Sequence, residues 1–205
     1  MNLEPHQLEA KGYVFQDKLE HEELLSFIKT YIKKRTVYGL GFYIITFLIL
    51  VGLMFYYNYL HHQNLLTLKF AVSNFMMSMG LAFLLVPLHE YLHVLAYRWQ
   101  GAKKTSYDVQ WPKLLFMALA DGFVANKKEF KVIALTPVVI ISTLLFVVAL
   151  FTPPSMSFIC ISILFWHFSF CAGDFGLLSY FEFYKSKEVV TYDDVQTKTT
   201  YFYSK

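Results

Sequence analysis

The chain has 205 residues, 56% hydrophobic, 19% aromatic and only 16% charged, with a mean hydropathy of +0.42 and a formal net charge of +3. That balance argues against an ordinary soluble domain and for an integral membrane protein built as one bundle. The small net charge gives no basis for a nucleic-acid partner, which would need a concentrated basic face.

Residues 1–36 read as a polar, cytoplasmic leader. Within it, residues 17–34 predict a surface helix, because Leu19, Leu24, Phe27, Ile28, Tyr31 and Ile32 form a rough apolar stripe. Such a helix lies on the membrane surface or stands in solvent. The leader has no continuous apolar stretch, so no cleavable signal peptide is expected.

Four apolar runs follow, at 37–60, 70–97, 132–151 and 156–181. At a rise of about 1.5 Å per residue, each is long enough for a hydrocarbon core of about 30 Å. The second and fourth are overlong, so their ends project or the helices tilt. Pro87 is expected to loosen the second run just before its most polar stretch. The predicted fold is an all-α membrane protein, a bundle of four transmembrane helices. Residues 37–184 form the membrane domain and 185–205 a cytoplasmic tail.

Orientation follows from the basic residues. Lys29, Lys33, Lys34 and Arg35 precede the first run, and Arg98, Lys103, Lys104, Lys113, Lys127, Lys128 and Lys131 fill the segment between the second and third. Lys185, Lys187, Lys198 and Lys205 follow the fourth, whereas the opposite connections carry only Lys69. Positive charge stays inside, so both termini and residues 98–131 are expected in the cytoplasm.

That 98–131 segment is more than a tether. Residues 105–111 alternate like a strand, Pro112 interrupts them, and 114–120 are apolar but too short to span. A short β-hairpin or a re-entrant segment is expected between helices 2 and 3. An exposed strand edge there would suit an extended substrate bound by strand addition, the alternative being a purely structural hairpin.

The chemistry concentrates in His89-Glu90-Tyr91-Leu92-His93, at the end of the second run. Residues four apart share a helix face, so both imidazoles can reach one metal ion. Glu90 lies about a hundred degrees round the helix, near enough to take a proton from water that the metal activates. The competing reading, two histidines satisfied by neighbouring carbonyls, leaves three costly ionisable residues in an apolar helix unexplained.

A catalytic zinc takes three protein ligands and an open position. The candidates for the third are His167, Asp174 and Glu182, all on the fourth run. Asp174 falls at the depth of His89 and His93 if both runs cross from outside to inside. His167 lies seven residues earlier, roughly 10 Å further out, which suits an outer or packing role and makes it the next alternative. Glu182 sits about two turns beyond the site. Ala172, Gly173 and Gly176 are small enough to let the second and fourth runs approach. Asn126 is one candidate for stabilising an oxyanion. Among the remaining histidines, His21 belongs to the leader, where a solvated role is the default. Cys160 and Cys171 are eleven residues apart, about 16 Å along a helix, and read as packing residues.

These residues resemble a membrane family of zincin-type peptidases of unknown function, common in Gram-positive bacteria. The resemblance is carried by the His89–His93 motif, Gly101-Ala102-Lys103-Lys104, Ala134-Leu135-Thr136-Pro137, Gly173-Asp174 and the tail around Asp193-Asp194. More distantly the chain is similar to intramembrane metalloproteases of the site-2-protease type. That similarity implies His89, His93 and Asp174 as Zn2+ ligands and Glu90 as the catalytic residue, although the Leu-Asp-Gly and Asn-Pro patterns of that group are missing.

The function expected is therefore a zinc metallopeptidase of the bacterial cell membrane. Its partners would be the lipid bilayer and a membrane protein or peptide substrate. A non-catalytic metal-binding membrane protein and a zinc hydrolase of a non-peptide bond are the alternatives.

Overall fold

The structure, a computed structural model, describes residues 3–205. Met1 and Asn2 of the leader, and the side chain of Lys113, lie outside the described residues.

The described part of the leader is only partly helical. Strand β1 (Val14–Glu20) precedes helix α1 (Leu24–Ile32), so the helix expected over 17–34 begins seven residues late. The reason is tertiary: β1 pairs antiparallel with the chain's last strand, opposing Leu19 to Thr200, and its backbone bonds are spent there. In α1 the residues Leu24, Ile28 and Ile32, one turn apart, are buried in protein rather than left for a membrane surface.

Helices α2 (Val37–His62), α3 (Leu68–Leu84) and α4 (Val86–Trp99) come next. Thr67 caps α3 by accepting a bond from the Phe70 amide. The predicted weak point near Pro87 is present: α3 and α4 are separated at Leu85, within a continuous apolar stretch Leu68–Trp99. Proline has no amide to return to the carbonyl four residues back, which is Phe83.

The segment after α4 forms the expected hairpin, with β2 (Thr105–Gln110) antiparallel to β3 (Leu115–Ala120) and Tyr107 opposite Ala118. Leu114 closes the turn in the left-handed region at φ 50°. Strand β4 (Ala125–Asn126) leads into α5 (Lys127–Leu150). After α6 (Pro154–Phe170) the chain bends by 45° at Cys171 into α7 (Ala172–Phe183), so the fourth apolar run is broken.

Strands β5 (Val189–Asp194) and β6 (Thr199–Ser204) complete an antiparallel sheet in the order β1-β6-β5-β4. The molecule is thus mostly helical with antiparallel strands, and the tail is structured. Three helical stretches are long and apolar enough to cross a membrane, or four if the bent pair counts as one. Large apolar side chains along them, such as Phe47, Phe55, Leu144 and Phe146, are exposed in the isolated chain, which is compatible with a membrane protein.

The chain divides into two compact units. One comprises the residues up to Leu40, Glu90–Thr136 and Gly173–Lys205; its core includes Phe27, Tyr180, Phe181 and Phe202, with the Tyr180 and Phe202 ring centroids 4.3 Å apart. Here α7 meets α1: a Cβ added at Gly176 would stand 3.1 Å from Ile28 Cγ2 and 3.2 Å from its Cα. Gly173 and Gly176 therefore admit the leader helix. His21, expected to be solvated, is buried and lies 3.2 Å from the Asp108 carboxylate. Burial alone would push the Asp108 carboxyl up, but bonds and charges from His21 and Lys198 hold it below its usual value.

The other unit comprises Gly41–His89 and Pro137–Ala172. In it α3 packs on α6, with the Trp166 indole donating to the Phe75 carbonyl at 3.0 Å.

Candidate metal centre

The motif lies on α4, where His89, Glu90 and His93 bring ligand atoms within 4.8 Å of one another. Each of the three is held by a different element.

His93 is buried, and its Nδ1 donates to the carbonyl of Ile133 on α5 at 2.9 Å. A carbonyl cannot donate, so Nδ1 must carry the hydrogen and Nε2 is the ring nitrogen turned away from Ile133. The reason this carbonyl is available lies four residues on. Pro137 stands inside α5 and lacks the amide that would ordinarily claim the Ile133 oxygen. Proline in a helix interior is unfavourable by about 3 kcal/mol relative to alanine, and here it leaves an acceptor aimed at a histidine. On the other side of the ring, His93 Nε2 lies 3.1 Å from Asp174 Oδ1 in the first turn of α7.

Glu90 is held by the hairpin. Its Oε2 accepts the Ala118 amide of β3 at 2.8 Å. Two residues along, the Ala120 amide donates to Asp193 Oδ2 at 3.1 Å. Alternate residues of a strand direct their amides to the same edge, so Ala118 and Ala120 define the β3 edge that faces away from β2. Asp193 also accepts the Thr200 hydroxyl at 2.8 Å, and the Gly122 amide donates to its backbone carbonyl at 2.9 Å. Burial pushes the Asp193 carboxyl above its ordinary value despite these donors. The tail thus fixes β3, and β3 fixes Glu90.

His89 faces different partners. Its Nδ1 lies 3.2 Å from His167 Nε2, and the Cys171 thiol is 3.9 Å from His89 Nδ1. His89, His167 and Cys171 form a second group with metal-ligand spacing. Cys171, expected to be a packing residue, thus also stands near two imidazoles. Its position four residues after His167, on the same helix face, was the signal in the sequence. Both cysteines are buried thiols.

Two other candidates are committed elsewhere. Glu182 pairs with Lys127 at 2.6 Å and Lys185 at 3.5 Å. Asn126 is the N-cap of α5: its Oδ1 accepts the Lys128 and Glu129 amides, and Glu129 returns a bond to the Asn126 amide. It is a helix cap.

Neither a curated protein nor a solved structure matches the chain. One family profile does, over residues 82–189, more than half of the sequence. That range contains His89, Glu90, His93, His167, Cys171 and Asp174. The family is described as "Putative zincin peptidase", a description that implies zinc. Motif helix, hairpin and aspartate all lie within the matched range, and the chain belongs to this family, DUF3267.

Proposed function

We propose that the protein is a zinc-dependent membrane metallopeptidase in which His89, His93 and Asp174 hold the ion and Glu90 is the general base. The observation that carries this reading is the two-sided restraint of His93: Nδ1 bonded to a carbonyl and Nε2 3.1 Å from a carboxylate oxygen. Ligand bonds of about 2.0–2.1 Å at tetrahedral angles put two ligand atoms about 3.3 Å apart, so this pair fits zinc closely. An outer carbonyl on the far ring nitrogen is the usual way a metal-bound histidine is oriented.

Zinc held there would lower the pKa of water toward about 7 and polarise a carbonyl. The chain's own residues do the rest. Glu90, positioned through Oε2 by the Ala118 amide, takes a proton on its carboxylate and later returns it to the leaving amine. The substrate in this reading is a membrane protein or peptide.

The segments expected in the cytoplasm support the orientation. The leader, residues 98–131 and the tail all fall in one compact unit, and the connections 61–69 and 152–155 fall in the other. Both termini are accordingly assigned to the cytoplasmic side of a bacterial cell membrane, with the chemistry at the inner face.

The test uses the full chain, purified in detergent and loaded with zinc, incubated with extended peptides. New N-termini should appear, vanish on chelation and return with added zinc. Hydrolysis of an ester or lipid bond without peptide cleavage would favour a different zinc hydrolase. Zinc binding with no hydrolysis would favour a non-catalytic metal protein.

Pro137 gives a separate check. In Pro137→Ala the new amide competes with His93 for the Ile133 carbonyl, so zinc affinity should fall roughly 10–100-fold, as for other outer partners. Thermal stability of the metal-free protein should hold or rise, since alanine suits the helix better. Unchanged zinc affinity would mean the carbonyl does not orient the ring.

A further inference from the structure

His167 and Cys171 take no part in the chemistry described so far, yet with His89 they bring three metal-binding side chains together inside one compact unit. His167 and Cys171 are one turn apart at the end of α6, and His89 comes from α4. The three are 2%, 1% and 8% exposed, respectively. The separations are 3.2 Å between His89 Nδ1 and His167 Nε2, 3.9 Å from Cys171 Sγ to His89 Nδ1, and 4.0 Å from Sγ to His167 Nε2.

Bond lengths of about 2.05 Å for nitrogen and about 2.3 Å for sulfur predict spacings near 3.3 and 3.6 Å around a tetrahedral ion. The cluster is within a few tenths of an ångström of that geometry before any ion draws it in. A purely structural role asks less. The Cys171 thiol already has the His167 carbonyl at 3.1 Å to donate to, as helix thiols commonly do, and needs no second polar neighbour. Two imidazoles meeting a thiol at coordination distance is the feature that calls for a ligand.

We infer that Cys171, His167 and His89 form a second metal-binding set, selective for soft or borderline divalent ions such as Cd2+, Co2+ and Zn2+. Sulfur with two imidazoles prefers these ions over Mg2+ or Ca2+, which seek oxygen. Binding releases the thiol proton to solvent and forms the metal–sulfur bond, with no change of oxidation state. Because His89 also belongs to the motif group, an ion gripped by Cys171 claims a histidine that the motif uses. Soft ions in excess over the one zinc that the motif holds should therefore inhibit whatever chemistry the motif performs. Only this consequence rests on the peptidase reading; the binding set itself does not.

Titration of the purified full chain with Co2+ or Cd2+, followed by absorption, tests the assignment. A sulfur-to-metal charge-transfer band should grow and saturate. It should persist in Cys160→Ser and Asp174→Asn, vanish in Cys171→Ser and Cys171→Ala, and weaken strongly in His167→Gln. Two cysteine variants guard against a folding defect in either. No band in the wild type overturns the proposal, as does a band that survives in both Cys171 variants. Loss of peptide hydrolysis in none of these experiments bears on the band, so the two readings fail separately.

Discussion

Glu90→Gln is expected to lower the rate of peptide hydrolysis by roughly 10²–10⁴-fold, the usual contribution of a positioned general base, while zinc content and KM stay close to wild type. The substitution is diagnostic because of how Glu90 is held. Its Oε2 accepts the Ala118 amide at 2.8 Å, and a glutamine carbonyl oxygen can accept the same bond in the same place. What glutamine cannot do is take a proton at neutral pH. Position is kept and basicity removed, so the loss should fall on kcat. Metal analysis and steady-state kinetics on the same preparation check it. Hydrolysis continuing at the wild-type rate would remove Glu90 from the mechanism.

The second large effect is expected from Asp174→Ala. As a ligand, Asp174 contributes both a bond and the only negative charge of its set, so the variant should lose zinc by more than the roughly 10–100-fold that follows removal of an outer partner. If Asp174 only pairs with His93 across the 3.1 Å contact, the loss should stay within that smaller range. Zinc competition with a chromophoric chelator separates the two magnitudes. Asp174→Asn, which preserves size, controls for a packing defect. Full occupancy in both variants would exclude Asp174 and bring His167 forward.

Much of the local structure was legible along the chain. The four apolar runs, the weak point near Pro87 and the hairpin at 105–120 follow from hydrophobic length, proline and strand-like alternation. Each depends on neighbours a few residues apart. The leader was misread for the complementary reason. An apolar stripe from Leu19 to Ile32 fits one helix, but residues 14–20 are claimed by β6, about 180 to 190 positions later, and pairing outweighs propensity when it satisfies a whole edge of backbone groups. His21 became buried by the same folding of the leader onto the hairpin's Asp108.

The metal centre divides in the same way. Sequence by itself determined that two imidazoles and a carboxylate share one helix surface, because helical spacing allows nothing else, and that Asp174 was a candidate to join them. Tertiary structure decided which atoms are restrained. Pro137 leaves the Ile133 carbonyl to His93, Asp193 secures the strand that holds Glu90, and Cys171 stands beside His167 and His89. None of these pairings has a local signature except the one-turn spacing of His167 and Cys171. They arise where separate elements meet, and a backbone carbonyl or amide acts there without regard to its side chain. Helical periodicity specifies a face; only packing specifies what that face meets.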